Sequence, residues 1–61
     1  MTYRIEADDE SGKPVLTRDL DCGGTDAENE FENVVRAAKR KGYFAVRLYN
    51  SLGTMARAFA R

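Results

Sequence analysis

Histidine is absent and cysteine occurs once, at Cys22. These two scarcities exclude much chemistry. Without an imidazole there is no His general base and no Ser-His-Asp or Cys-His nucleophile pair. One thiol with no histidine cannot build a tetrahedral zinc site or close an internal disulfide. A lone thiol suits a reducing compartment. Charge of one sign is missing too: ten acidic residues balance ten basic ones, against a generic polyanion binder, local patches apart. The longest apolar run, Tyr43 to Val46, has four residues, where a bilayer-spanning helix needs about 20. Met1 to Glu6 carries neither the basic nor the apolar region of a signal peptide. The expectation is a cytoplasmic chain with no membrane contact.

Length is short as well. The 61 residues leave room for one domain, 1–61, which at this size buries only about 60% of its unfolded surface. Its core must be thin, in two layers. A hydrophobic share of 43% is close to that of ordinary globular chains, so a folded domain is expected over a disordered one.

The clearest local pattern is in the middle. Thr25-Asp26-Ala27-Glu28 has the form of a capping box. Behind it Ala27, Phe31, Val34, Val35 and Ala38 recur at helical spacing. Acids crowd the first half and bases the second, as the helix dipole favours, and Glu32 and Arg36 are spaced for an i,i+4 pair. Gly42 supplies a left-handed stop, with Tyr43 folding back on Ala38. These signals predict a helix over about 26–41.

Both flanks read as hairpins. Thr2 to Ala7 and Val15 to Leu20 enclose Asp9-Glu10-Ser11-Gly12, and Tyr43 to Tyr49 leads into Asn50-Ser51-Leu52-Gly53. Asp or Asn first and Gly fourth is the pattern of a type I turn followed by a glycine bulge. Met55 to Arg61 suits a short helix by composition, but the preceding turn predicts a strand, with Tyr49 opposite Met55 and Val46 opposite Ala58. The expected fold is α+β: a ββαββ two-layer sandwich, a four-stranded, mainly antiparallel sheet with one helix on one face.

That register sorts the side chains. Tyr3, Ile5, Ala7, Val15, Phe44, Val46 and Leu48, beside Ala56, Ala58 and Ala60, are expected to meet the helix. The other face would carry Arg4, Glu6, Leu16, Arg18, Leu20, Tyr43, Ala45, Arg47, Tyr49, Met55, Arg57, Phe59 and Arg61. Nothing remains in the chain to cover it. Aromatics, Met and Arg are enriched at protein interfaces, so Arg4, Arg18, Tyr43, Arg47, Tyr49, Met55, Arg57 and Phe59 are the candidate partner-binding residues. Arginine stems over tyrosine rings can equally serve the sheet itself.

The expected function is a non-enzymatic interaction module acting through that face, in a homodimer or against another protein. Compact, non-catalytic chains of this kind are common among the accessory or inhibitor proteins of bacteria and phages, an analogy rather than a reading of residues. The alternative is single-stranded nucleic-acid binding, with bases stacked on Tyr43, Tyr49 and Phe59 and arginines on phosphates. A more distant one is a calcium loop at 19–30, where Asp19, Asp21, Gly24 and Glu30 match four positions of the twelve-residue pattern. Gly23 and Asp26 break that pattern, and a strand-to-helix turn accounts for the same residues. Clustered acids such as Asp8, Asp9 and Glu10 would need an enclosing pocket for acid–base work, which a two-layer domain of this length can hardly form. Cys22 reads as a half-buried structural thiol. No catalytic residue, metal or cofactor is expected.

Overall fold

Asp9 and Asn50 begin the same turn in two places. Each takes the N–H of the glycine three residues on at its own carbonyl, Gly12 at 3.1 Å and Gly53 at 3.0 Å. Each gives its N–H to the carbonyl four residues on, Lys13 at 2.9 Å and Thr54 at 3.0 Å. Their side-chain oxygens then satisfy the backbone inside the loop. Asp9 Oδ1 accepts from the N–H groups of Ser11 and Lys13 and from the Ser11 hydroxyl. Asn50 Oδ1 accepts from Leu52 and Thr54. Gly12 and Gly53 close the loops at φ +86° and +81°, a region that costs a residue with a Cβ about 1–2 kcal/mol.

The computed structural model describes residues 2–61. The elements are β1 (Thr2–Asp8), β2 (Pro14–Asp21), α1 (Gly24–Lys41), β3 (Ala45–Tyr49) and β4 (Met55–Ala60). All pairings are antiparallel, in the order β2-β1-β3-β4. The chain is the expected ββαββ α+β fold, and residues 55–60 are a strand.

The helix buries the stripe its spacing predicts: Ala27, Phe31, Val34, Val35 and Ala38, against Ile5, Ala7, Val46 and Leu48 of the two central strands. Its end is as expected. Gly42 at φ +81° lets both its own N–H and that of Tyr43 reach the Ala38 carbonyl, and Tyr43 packs on the core. Its start differs. Gly23, in extended conformation, is the N-cap and no side chain caps the first turn. Thr25 and Glu28 therefore form no capping box, and Glu28 faces Arg57 of β4 instead. A Cβ at Gly24 would lie 3.2 Å from the Tyr3 hydroxyl oxygen, so the helix enters close over β1. The expected Glu32–Arg36 pair is absent as well, since Arg36 donates to Asn33 Oδ1.

Both hairpins depart from the expected register in the same way. The pairs next to the turns, Asp8 with Pro14 and Tyr49 with Met55, follow from the loop geometry. One step further an extra residue enters the second strand: Val15 in β2 and Ala56 in β4. Ala7 then pairs with Leu16, and Leu48 with Arg57. A one-residue shift moves every later side chain to the opposite face. Val46 therefore faces Phe59 rather than Ala58. Leu16, Arg18 and Leu20 share the helix side with Ala7, Ile5 and Tyr3. Val15 and Phe44, both expected in the core, are each 42% exposed.

Candidate functional site

The eight candidate partner-binding residues, all expected on the open face, divide between the two sides of the sheet. Arg4, Arg47 and Tyr49 lie on the uncovered side, where they pair with one another across β1 and β3: Arg4 with Tyr49, and Glu6 with Arg47. Met55, next to the β4 bulge, pairs with Tyr49. Arg18, Arg57 and Phe59 lie on the helix side with the core residues they oppose, and Tyr43 packs on that core from the end of α1. Arg61, also expected on the open face, reaches the helix C-terminus.

The arginines on the helix side hold the helix. From β2, Arg18 Nη1 approaches Glu30 Oε2 at 3.2 Å, and from β4, Arg57 Nη2 approaches Glu28 Oε1 at 3.3 Å. Arg61 Nη2 donates to the carbonyls of Ala38 and Lys39 at 3.1 and 2.9 Å. The Ala38 carbonyl already accepts from the Gly42 and Tyr43 N–H groups, so the guanidinium adds a further donor there, serves the Lys39 carbonyl and answers the negative dipole end of the helix. Phe59 lies under Lys39, whose Nζ is 5.6 Å from the ring centre. The basic and aromatic residues of β4 are therefore largely committed to α1.

The uncovered side has two halves. Over β2 and β1 it is charged: Arg4 Nε meets Asp19 Oδ1 at 3.0 Å, both side chains more than half exposed. At its centre Arg47 Nη2 is 2.8 Å from Asp8 Oδ2 and 3.8 Å from Glu6 Oε1. The hydrogen bond to Asp8 raises the Arg47 guanidinium above its ordinary pKa, and that to Asp19 does the same for Arg4. Arg47 Nε is buried without a hydrogen-bond partner among the described residues. Over β3 and β4 the other side chains are small or apolar: Ala45 opposite Ala60, Ala58 opposite Arg47, and half-buried Tyr49 opposite Met55. At the turn end an open depression of about 540 Å³ is lined by Arg4, Glu6, Asp19, Tyr49, Asn50 and Ser51.

Residues 19–30 are not laid out as one continuous loop. Asp19 and Asp21 belong to β2 and Glu30 to α1, with Asp19 and Glu30 each engaged by an arginine. Among the described residues no three His, Cys, Asp or Glu side chains gather as a metal site, no polar or charged residue is buried, and no helix is long and apolar enough to cross a membrane. Cys22 is half-buried against the core.

The residue that sequence reasoning missed on this surface is Asp8, the closest partner of Arg47. Its neighbours Asp9 and Glu10 group it with the acids of the turn, yet the alternation Arg4, Glu6, Asp8 along β1 puts it on the same side. No family model, no curated protein and no solved structure matches this chain.

Proposed function

We propose that this chain is a small protein-binding module without catalytic chemistry of its own, working in the cytoplasm through the side of its sheet that no helix covers. The observation that carries the reading is the composition of that side. Ala45, Ala58 and Ala60 surround Arg47, with Ala58 directly opposite it, and Tyr49 lies two residues further along β3, opposite Met55. Asp8 and Glu6 of β1 hold the Arg47 guanidinium from the other side. Alanine is depleted in strands because it packs poorly. On an uncovered face it instead allows another flat surface to approach within the roughly 10 Å at which sheets pack. Tyr49 is then the anchor, and Arg47 with Asp8 and Glu6 gives polar specificity at its edge.

Of the three rings expected to form a stacking platform for a single-stranded nucleic acid, only Tyr49 lies on this side. Phe59 and Tyr43 pack on the core instead, so the protein partner is the better supported reading.

Photocrosslinking tests it. A photoreactive phenylalanine analogue replaces Tyr49 in one variant and Asn33, on the exposed side of α1, in another. The reading expects discrete protein adducts from position 49 and none from position 33. Adducts to nucleic acid, equal adducts from both positions, or none from position 49 would overturn it.

A further inference from the structure

The two edges of the sheet are guarded unequally. β2 begins with Pro14, bulges at Val15 and carries Arg18, Asp19 and Asp21 along its length. Proline, bulges and charge are the usual devices that keep a foreign strand from adding to an edge. β4, Met55-Ala56-Arg57-Ala58-Phe59-Ala60, has no proline, no lysine and no acid, and it pairs on one side only. Its one charge, Arg57, is turned to Glu28 on the helix.

Backbone phase adds to this. The Arg61 N–H bonds to the Phe44 carbonyl at 3.0 Å. Antiparallel strands alternate the direction of their hydrogen-bonding groups. Arg57, Phe59 and Arg61 therefore turn their N–H and C=O toward β3, and Ala58 and Ala60 turn theirs outward.

We propose that a second copy of this chain pairs antiparallel along β4, with Ala58 opposite its own counterpart. A two-fold axis normal to the sheet requires one residue to face itself, and the regular part of β4, Arg57 to Ala60, offers four choices. Centred on Ala60, the two strands overlap by only three residues. Centred on Arg57, two guanidiniums meet directly. Centred on Phe59, each Arg57 faces an Arg61. Centred on Ala58, each Arg57 faces the Phe59 ring of the other copy, a favourable cross-strand pair. Ala56 then faces Ala60, and the outward N–H and C=O of the two Ala58 residues satisfy each other. Charge and length of overlap together select that register. The product is an eight-stranded sheet with both helices on one side. The edge and the open face are different surfaces, so this dimer stands or falls independently of the partner-binding reading.

Light scattering or sedimentation of the full chain from about 10 µM to about 1 mM reads the assembly. The dimer is expected to appear within that range. Ala58→Pro removes an N–H that the monomer does not use, and proline is tolerated where an edge N–H faces solvent. That variant should keep its circular dichroism and weaken association at least about tenfold, or ~1.4 kcal/mol. Register is read by disulfides in a Cys22→Ser background. Ala58→Cys should oxidise to a covalent dimer, since a hydrogen-bonded antiparallel pair has its Cα atoms about 5.5 Å apart. Ala60→Cys should not, because it faces position 56. A monomer at every concentration overturns the proposal. So does a dimer lost in Tyr49→Glu but kept in Ala58→Pro, or crosslinking at position 60 rather than 58. If Ala58→Pro fails to fold, the cysteine pair decides the matter alone.

Discussion

Asp9 and Asn50 perform one task with different chemistry, and the difference is measurable. Hydrogen bonds from Ser11 and Lys13 hold the Asp9 carboxyl below its ordinary pKa. A group lowered on folding contributes stability in full above its unfolded value and loses it as pH falls through the folded one. Acidification below about pH 4 should therefore loosen the first turn and leave the second, whose Asn50 does not titrate. Amide exchange at Ser11 and Lys13 should accelerate relative to Leu52 and Thr54, and Asp9→Asn should abolish the contrast. A second test separates the rings of β4 and β3. Phe59 packs on the core under Lys39, so Phe59→Ala should cost roughly 1–3 kcal/mol in denaturant unfolding, somewhat below a fully buried phenylalanine. Tyr49→Ala, on the uncovered side, should cost under about 1 kcal/mol. Equal losses would mean that both rings serve the core.

Among the elements, the helix stripe, its glycine stop, both turns and the strand character of residues 55–60 are legible in the amino-acid order alone. In each a local signal and a periodic one agree. The registers beyond the turns are not. A turn's residues set the pair beside the loop, and nothing in Asp9–Gly12 or Asn50–Gly53 announces the extra residue that follows. A signal does exist one level up. Leu16 and Leu20 alternate with Thr17, Asp19 and Asp21, and Phe59 alternates with alanines, so apolar periodicity points those side chains at the helix. Counting outward from the loop gives the turn precedence where burial decides. The helix start misleads for a related reason: Thr25 and Glu28 have the capping-box spacing, but extended Gly23 takes the cap position and Glu28 answers Arg57 across the layers. Deleting Ala56 tests the bulge. Removing the extra residue leaves Arg57 opposite Leu48 and Phe59 opposite Val46 in an unbroken ladder. Phe59 should therefore stay on the core, Arg57 should keep Glu28, and the thermal midpoint should move by no more than a few degrees. A large loss of midpoint with Phe59 turned outward would mean that Ala56 is not the extra residue of the ladder.

For the molecule as a whole, one helix covers one side and is tied down from both edges, by Arg18 on β2 and by Arg57 and Arg61 on β4. Each exposed pair is worth little alone, typically about 0–1 kcal/mol, so their joint effect is mainly to fix how the helix sits. Leu52, 87% exposed at the tip of the second turn, lies outside this arrangement and has no structural explanation. The candidate surface is legible only in part: that a face is left open follows from having four strands and one helix, while its membership depends on the two bulges. Arg47 and Tyr49 remain on it; Arg57 and Phe59 do not. Both the partner-binding face and the β4 edge rest on that assignment. Nuclear Overhauser contacts in the isolated chain test it most directly. The account predicts contacts from the Phe59 ring to Val46 and to the Lys39 side chain, with the Ala58 methyl beside Arg47. Contacts from Phe59 to Arg47 or Ala45, with Ala58 against Val46, would contradict it.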